Sequence, residues 1–173
     1  MQIIQSNLKP PLYWKNILAP VDFCDSSRGA LKLAAGLAEQ SGALLTLLHV
    51  VHFPVSYPID ALLDLEDLMS SARDSLERIS SKIPVDLILQ KRVVFGKQDI
   101  FQEIIEVAGE LPADLIVTAS PEHGGLARVL HGSITEKLVR HAPCPVLVTH
   151  LAKAMPTRLQ VAELSNPFKK AGT

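Results

Sequence analysis

The stretch Ala43 to Val51 (ALLTLLHVV) restricts what this chain can become. Only Thr46 and His49 interrupt a run of aliphatic side chains. A strand alternating between core and water would show polar residues at every second position, and this one does not. Both of its faces need cover. That is the condition of an interior strand in a parallel sheet, whose crossover connections bring helices onto both faces.

The rest of the chain supplies those elements. Lys15 to Val21 (KNILAPV) reads as a first short buried strand, with Pro20 at its end, where a missing N–H costs least. Asp22 to Ser27 is a polar turn offering several N-cap residues. The spacing then predicts a helix to about Gln40, with Ala30, Leu33, Ala34 and Leu37 on one face and Ser41–Gly42 as its stop. Phe53 to Pro58 is a loop. Ile59 to Ile83 is the clearest helix, with apolar residues from Leu62 to Ile83 repeating at three and four. Pro84 ends it. Val85 to Phe95 alternates in part and predicts a more exposed edge strand. Gly96 to Asp99 leads into a helix with an Asp99/Gln102 capping box and a buried stripe of Ile100, Ile104 and Val107. Asp114 to Thr118 is the next buried strand, followed by a small-residue turn from Ala119 to Gly125. A second turn, His131–Gly132–Ser133, opens a helix with Ile134 and Leu138 inward and Lys137 and Arg140 outward. Cys144 to His150 is a last short strand. Strands and helices alternate throughout, which predicts one α/β domain: a parallel sheet with helices on both faces, joined by right-handed crossovers. Its expected span is 15–150, with an irregular arm at 1–14 and a tail at 151–173 that is surface-bound or partly disordered.

The chain's 173 residues suffice for one domain with a real core. A net charge of −1 sets up no global field toward nucleic acid or an anionic membrane. No apolar run reaches the length of a membrane span, and the N-terminus lacks a basic start followed by an apolar segment. Two cysteines, Cys24 and Cys144, make no disulfide framework. They read as packing residues, and the protein as cytoplasmic.

In a sheet of this kind ligands bind outside the carboxyl ends of the strands, where helix N-termini present free N–H groups. Asp22 follows the first strand there. It either caps the turn through backbone N–H groups or accepts from an amino group or a ribose hydroxyl. Gly132–Ser133 precedes a helix, where Ser133 either belongs to a capping box with Glu136 or helps hold an anion; the two roles are compatible. The Gly124–Gly125 spacing fits neither a P-loop nor G-x-G-x-x-G. The six histidines show no metal-ligand spacing, and His123 and His131 flank the crevice. G-x-S-x-G is absent and no carboxylate pair is set for acid–base chemistry, so no catalytic centre is read.

Four segments together resemble the universal stress protein family: ILAPVDFCDSSRGALKLAAGLA, LLTLLHVV, VVFGKQDIFQEIIEVAGELPADLIV and GGLARVLHGSITEKLVRHAPCPVLVTH. They occur in the family's order over about residues 15–150. The resemblance implies a doubly wound, five-stranded parallel Rossmann-like sheet and a homodimer paired through Pro145 to Thr149. It also implies an adenine-nucleotide site. Asp22 and Val50 correspond to adenine and ribose contacts, with Pro20 and Val21 beside Asp22 and Ile134 after Ser133. The family's ATP pattern is G-x-x-G, a nine-residue spacer, then G-[ST]. Gly132–Ser133 matches its end, but Ala119 and Glu122 stand where the early glycines would be. The nucleoside half is thus intact and the phosphate half degraded, since a carboxylate at 122 repels a polyphosphate. Two functions follow: a stress-response module binding AMP, ADP or weakly ATP, with no metal beyond nucleotide-associated Mg, or a dimeric scaffold that binds partners and no nucleotide. Any ATPase activity is weak at most, with Glu122 as its sole candidate base at the phosphate end.

Overall fold

The computed structural model describes residues 14–52, 62–83, 86–120 and 134–149. Within them the chain runs β1 (Asn16–Pro20), α1 (Asp25–Ser41), β2 (Leu44–His52), α2 (Leu62–Ser80), β3 (Leu89–Gly96), α3 (Ile100–Glu110), β4 (Leu115–Ala119), α4 (Ile134–His141) and β5 (Val146–Thr149). The five strands form one parallel sheet in the order β3-β2-β1-β4-β5. From β1 the chain builds outward through β2 to β3, then returns to lay β4 on the other side of β1. The β1–β4 boundary is therefore the point where strand order reverses.

Period-two alternation divides the core into two layers. Ile17, Ala19, Leu45, Leu47, Leu115 and Val117 face α1 and α2, where Ala30, Ala34, Ala38 and Leu76 meet them. Leu18, Leu48 and Ile116 face the opposite way, onto Ile104, Val107 and Ala108 of α3 and Leu138 of α4. Neighbouring residues of one strand thus serve different layers, which is why β1, β2 and β4 are mostly apolar on both faces. At the amino ends of the strands, the Asp114 carboxylate accepts from the backbone N–H groups of Lys15 (2.7 Å) and Asn16 (3.2 Å), tying β1 to β4.

β3 lies at one edge, as its partial alternation predicts, but it begins at Leu89 rather than Val85. The exposed flank carries charge: Lys91 pairs with Glu77, and Arg92 with Glu110 at 2.9 Å. β5 forms the other edge, short and uncharged, with Leu147 37% exposed. α1 stops where Gly42 takes a left-handed φ of 68° and its N–H donates to the Ala38 carbonyl, a conformation that favours glycine.

Two inward assignments from the sequence are corrected. Leu33 is 42% exposed, because α1 packs on the sheet through Ala30, Leu31, Ala34, Ala35 and Ala38 instead. Ile134 is 41% exposed, because it stands at an open cleft and not against the sheet, whereas Leu138 is fully buried. Lys137 is only half outward: its ammonium sits 4.7 Å from the centre of the Phe101 ring and 3.2 Å from an Asp99 oxygen. The arm before residue 14, Phe53 to Pro58, the helix start from Ile59 to Ala61, Pro84–Val85, the turns carrying Glu122 and Gly132–Ser133, and the tail lie outside the described residues. Among those described, no helix is long and apolar enough to cross a membrane.

Candidate functional site

A cleft of about 220 Å³ opens at the carboxyl ends of β1, β2 and β4, at the point where strand order reverses. Its polar wall comes from the end of β1, the start of α1 and the end of β2: Asp22, Ser26, Ser27 and His49. Its apolar wall comes from Ile100 and Ile104 of α3 and Ile134 of α4. Thr118, Ala119 and Thr135 also line it. The buried Thr135 hydroxyl donates to the Ala119 carbonyl at 3.0 Å, holding the first turn of α4 against the end of β4.

The polar wall is hydrogen-bonded within itself. The Val21 N–H donates to the Leu48 carbonyl at 2.8 Å, extending the β1–β2 ladder one residue past the strand. His49 Nδ1 lies 2.8 Å from the Val21 carbonyl oxygen. Asp22 Oδ1 accepts from the Cys24 N–H at 3.1 Å, closing a tight side-chain turn. Partial burial pushes the Asp22 carboxyl up, but hydrogen bonds from the Cys24 and Ser27 side chains and from backbone N–H groups outweigh it. The net effect holds the carboxyl below its ordinary range. Asp22 is therefore an ionised acceptor at neutral pH.

Cys24 caps α1, with its sulfur 3.4 Å from the Ser27 N–H and 2.8 Å from the Ser26 hydroxyl. The cap thus falls on a residue type that ranks below Asp, Ser and Asn for the role. Between Asp22 and Cys24, Phe23 adopts a left-handed φ of 66°. That conformation costs a residue with a Cβ roughly 1–2 kcal/mol. It turns the Phe23 ring onto the His49 imidazole, centroids 4.3 Å apart.

The cleft brings together Pro20, Val21, Asp22, Val50 and Ile134, all singled out in the sequence. Gly132 and Ser133 lie outside the described residues. Asp22 does cap its turn, and it also lines the cleft. Ala119 sits in β4 and is absent from the positive-φ positions, so its methyl in place of a glycine hydrogen imposes no backbone strain. Sequence reasoning missed His49, Thr118 and Thr135. A polar residue near the end of an otherwise aliphatic strand is the one signal that pointed to His49. Among the described residues, no three His, Cys, Asp or Glu side chains converge as a metal site.

The sequence model of the universal stress protein family matches residues 14–150. A universal stress protein of Methanocaldococcus jannaschii is 30% identical over 144 residues, covering 81% of this chain and 84% of that protein. The universal stress protein UspA from Lactobacillus plantarum superposes with a TM-score of 0.66 at 28% identity, over 79% of this chain and 98% of that one. A universal stress protein solved in complex with cAMP shares the fold, with a TM-score of 0.59 at 22% identity over 82% of this chain and all of the other. By the extent of the family match and the coverage of its relatives, the chain belongs to the universal stress protein family.

Proposed function

We propose that this protein is a stress-response module that holds an adenine nucleotide in the switch-point cleft. Pro20, Val21, Asp22 and Val50 receive the nucleoside, and Gly132, Ser133 and the Ile134 N–H receive phosphate. The observation that carries this reading is the convergence of Pro20, Val21, Asp22, Val50 and Ile134, from three separated parts of the chain, on one cleft. Its chemistry suits a nucleoside. An ionised Asp22 accepts only, so it pairs with an exocyclic amino group or a ribose hydroxyl. The isoleucines opposite cover the apolar face of a base. A protein of the same fold solved with cAMP, and another solved with dAMP at 17% identity and a TM-score of 0.53, support a mononucleotide as the ligand class.

Glu122, at a position the family's ATP pattern gives to glycine, sets the preference. Its charge opposes a triphosphate more than a monophosphate, so AMP or ADP binds in preference to ATP and Mg enters only with the nucleotide. The protein acts in the cytoplasm as a homodimer paired through Pro145 to Thr149, along the uncharged β5 edge. Thermal denaturation tests the ligand: adenosine or AMP is expected to raise the melting temperature more than ATP. Equal shifts, or none at saturation, would end this reading.

Glu122 also favours a second reading, in which the same fold is a dimeric scaffold for protein partners and binds no nucleotide. The double substitution Ala119→Gly with Glu122→Gly separates the two. A native protein that binds neither AMP nor ATP, beside a double variant that binds ATP, belongs to the scaffold class.

A further inference from the structure

Among the described residues that line the cleft, Asp22 is the one carboxylate, and both of its chain neighbours are held by one residue. On one side is Val21, whose carbonyl oxygen lies 2.8 Å from His49 Nδ1. A carbonyl only accepts, so Nδ1 carries the proton in this contact, and in the neutral ring Nε2 is left as the acceptor. On the other side is Phe23, whose ring packs on the same imidazole at 4.3 Å and 32° from a left-handed backbone. The Val21 N–H is fixed separately to Leu48, the residue before His49. The chain leaving β1 is thus gripped twice by one imidazole near the end of β2, once before Asp22 and once after it.

We propose that His49 is the positioning residue of this cleft: it places the Asp22 carboxylate for a nucleoside by holding Val21 through Nδ1–H and Phe23 through its ring. A short exit from a strand has many ways to turn, and a carboxylate on it is useful to a ligand only in one of them. His49 removes that freedom before the ligand arrives, which lowers the ordering cost of binding. The favourable contact with the ring also offsets the strain at Phe23. The inference rests on the nucleotide reading of the cleft for its ligand, while its geometric half stands on the unliganded protein.

His49→Leu removes both grips. His49→Asn restores a donor close to the place of Nδ1 without the ring. Calorimetric titration with AMP is expected to show about a tenfold loss of affinity in the leucine variant, the size of one ordered hydrogen bond, and recovery of most of it in the asparagine variant. Amide exchange at Cys24, whose N–H is bound to the Asp22 carboxylate, is expected to quicken in the first variant and return toward normal in the second. The proposal is overturned if His49→Leu binds AMP like the unaltered protein, or if His49→Asn binds no better than His49→Leu. Should His49→Leu fail to fold, nitrogen-15 spectra of the unaltered protein decide: a protonated Nδ1 supports the proposal and an unprotonated Nδ1 overturns it. Should the unaltered protein bind no adenine nucleotide at saturation, the nucleotide reading falls, and Cys24 exchange with the nitrogen-15 spectra still judges His49.

Discussion

The two walls of the cleft are built on different principles. On the β1–β2 side, Val21, Asp22, Cys24 and His49 are joined by directional hydrogen bonds at 2.8 to 3.1 Å. On the α3–α4 side, Ile100, Ile104 and Ile134 offer shape without direction, with the Thr135 hydroxyl tying the start of α4 to the end of β4. A polar wall can discriminate only if its groups are already in place, because each group that must be ordered on binding weakens the complex. An apolar wall has no such requirement; it contributes by excluding water. On the proposed reading, hydrogen bonds lie where a ligand's identity would be read and aliphatic side chains where the ligand would be covered.

The apolar wall breaks hardest. Ile104 is 2% exposed and belongs to the α3–α4 layer, so Ile104→Ala should cost about 2–5 kcal/mol in urea denaturation. A loss below about 1 kcal/mol would mean that the wall collapses onto the gap, and that its shape is not fixed. Next comes the tie beneath it. Thr135→Val keeps the shape but leaves the Ala119 carbonyl without its side-chain donor, for an expected loss of about 1–3 kcal/mol, also by denaturation.

On the opposite side, Gly96→Ala would place a Cβ 3.0 Å from Val50 Cγ1. The Val50 side chain must give by a few tenths of an ångström, for roughly 1 kcal/mol of stability. Because Val50 lines the cleft, AMP affinity should fall by more than stability does; an unchanged affinity would remove Val50 from the nucleoside contacts. The smallest effect concerns Asp22 and pH. Its folded pKa is lowered from 3.8, so its ionised form stabilises the fold above that value and the contribution is lost as pH falls through the folded pKa. Asp22→Asn should therefore be less stable than the unaltered protein at neutral pH, and the two should converge in acid. A difference that persists in acid would show that the polar wall depends on the oxygen's shape and not on its charge.

Much of the fold was legible because the strands carry their own constraint. A largely aliphatic run such as Leu44 to Leu48, broken only by Thr46, admits few placements, and Gly42 marks the helix stop before it by taking a left-handed φ. What escaped were features that depend on distance of approach. Leu33 is large and apolar, yet α1 buries its alanines, because small side chains let the helix lie close to the sheet and leave the larger residue beyond the contact line. Ile134 follows the helical period toward the core but meets a cleft there. Of the site, Asp22 was legible as a carboxylate just past a strand end, and Pro20, Val21 and Val50 only through the family resemblance. His49 was not, because its partner Val21 lies 28 positions away and no spacing rule joins them. Cys24 escaped because capping preferences rank residue types, whereas its sulfur reaches Ser27 by geometry.

The sheet's unequal edges limit how far copies of this chain can associate. β3 presents Lys91 and Arg92, each engaged by a glutamate of a neighbouring helix, and adding a strand beside it would bring another backbone against those charges. β5 presents no charge at all. A sheet that welcomed neighbours on both sides would grow without end, strand upon strand. Under the proposed pairing through β5, association edge to edge would be complete once two copies met, and the guarded β3 edge would face outward from the pair as its stop.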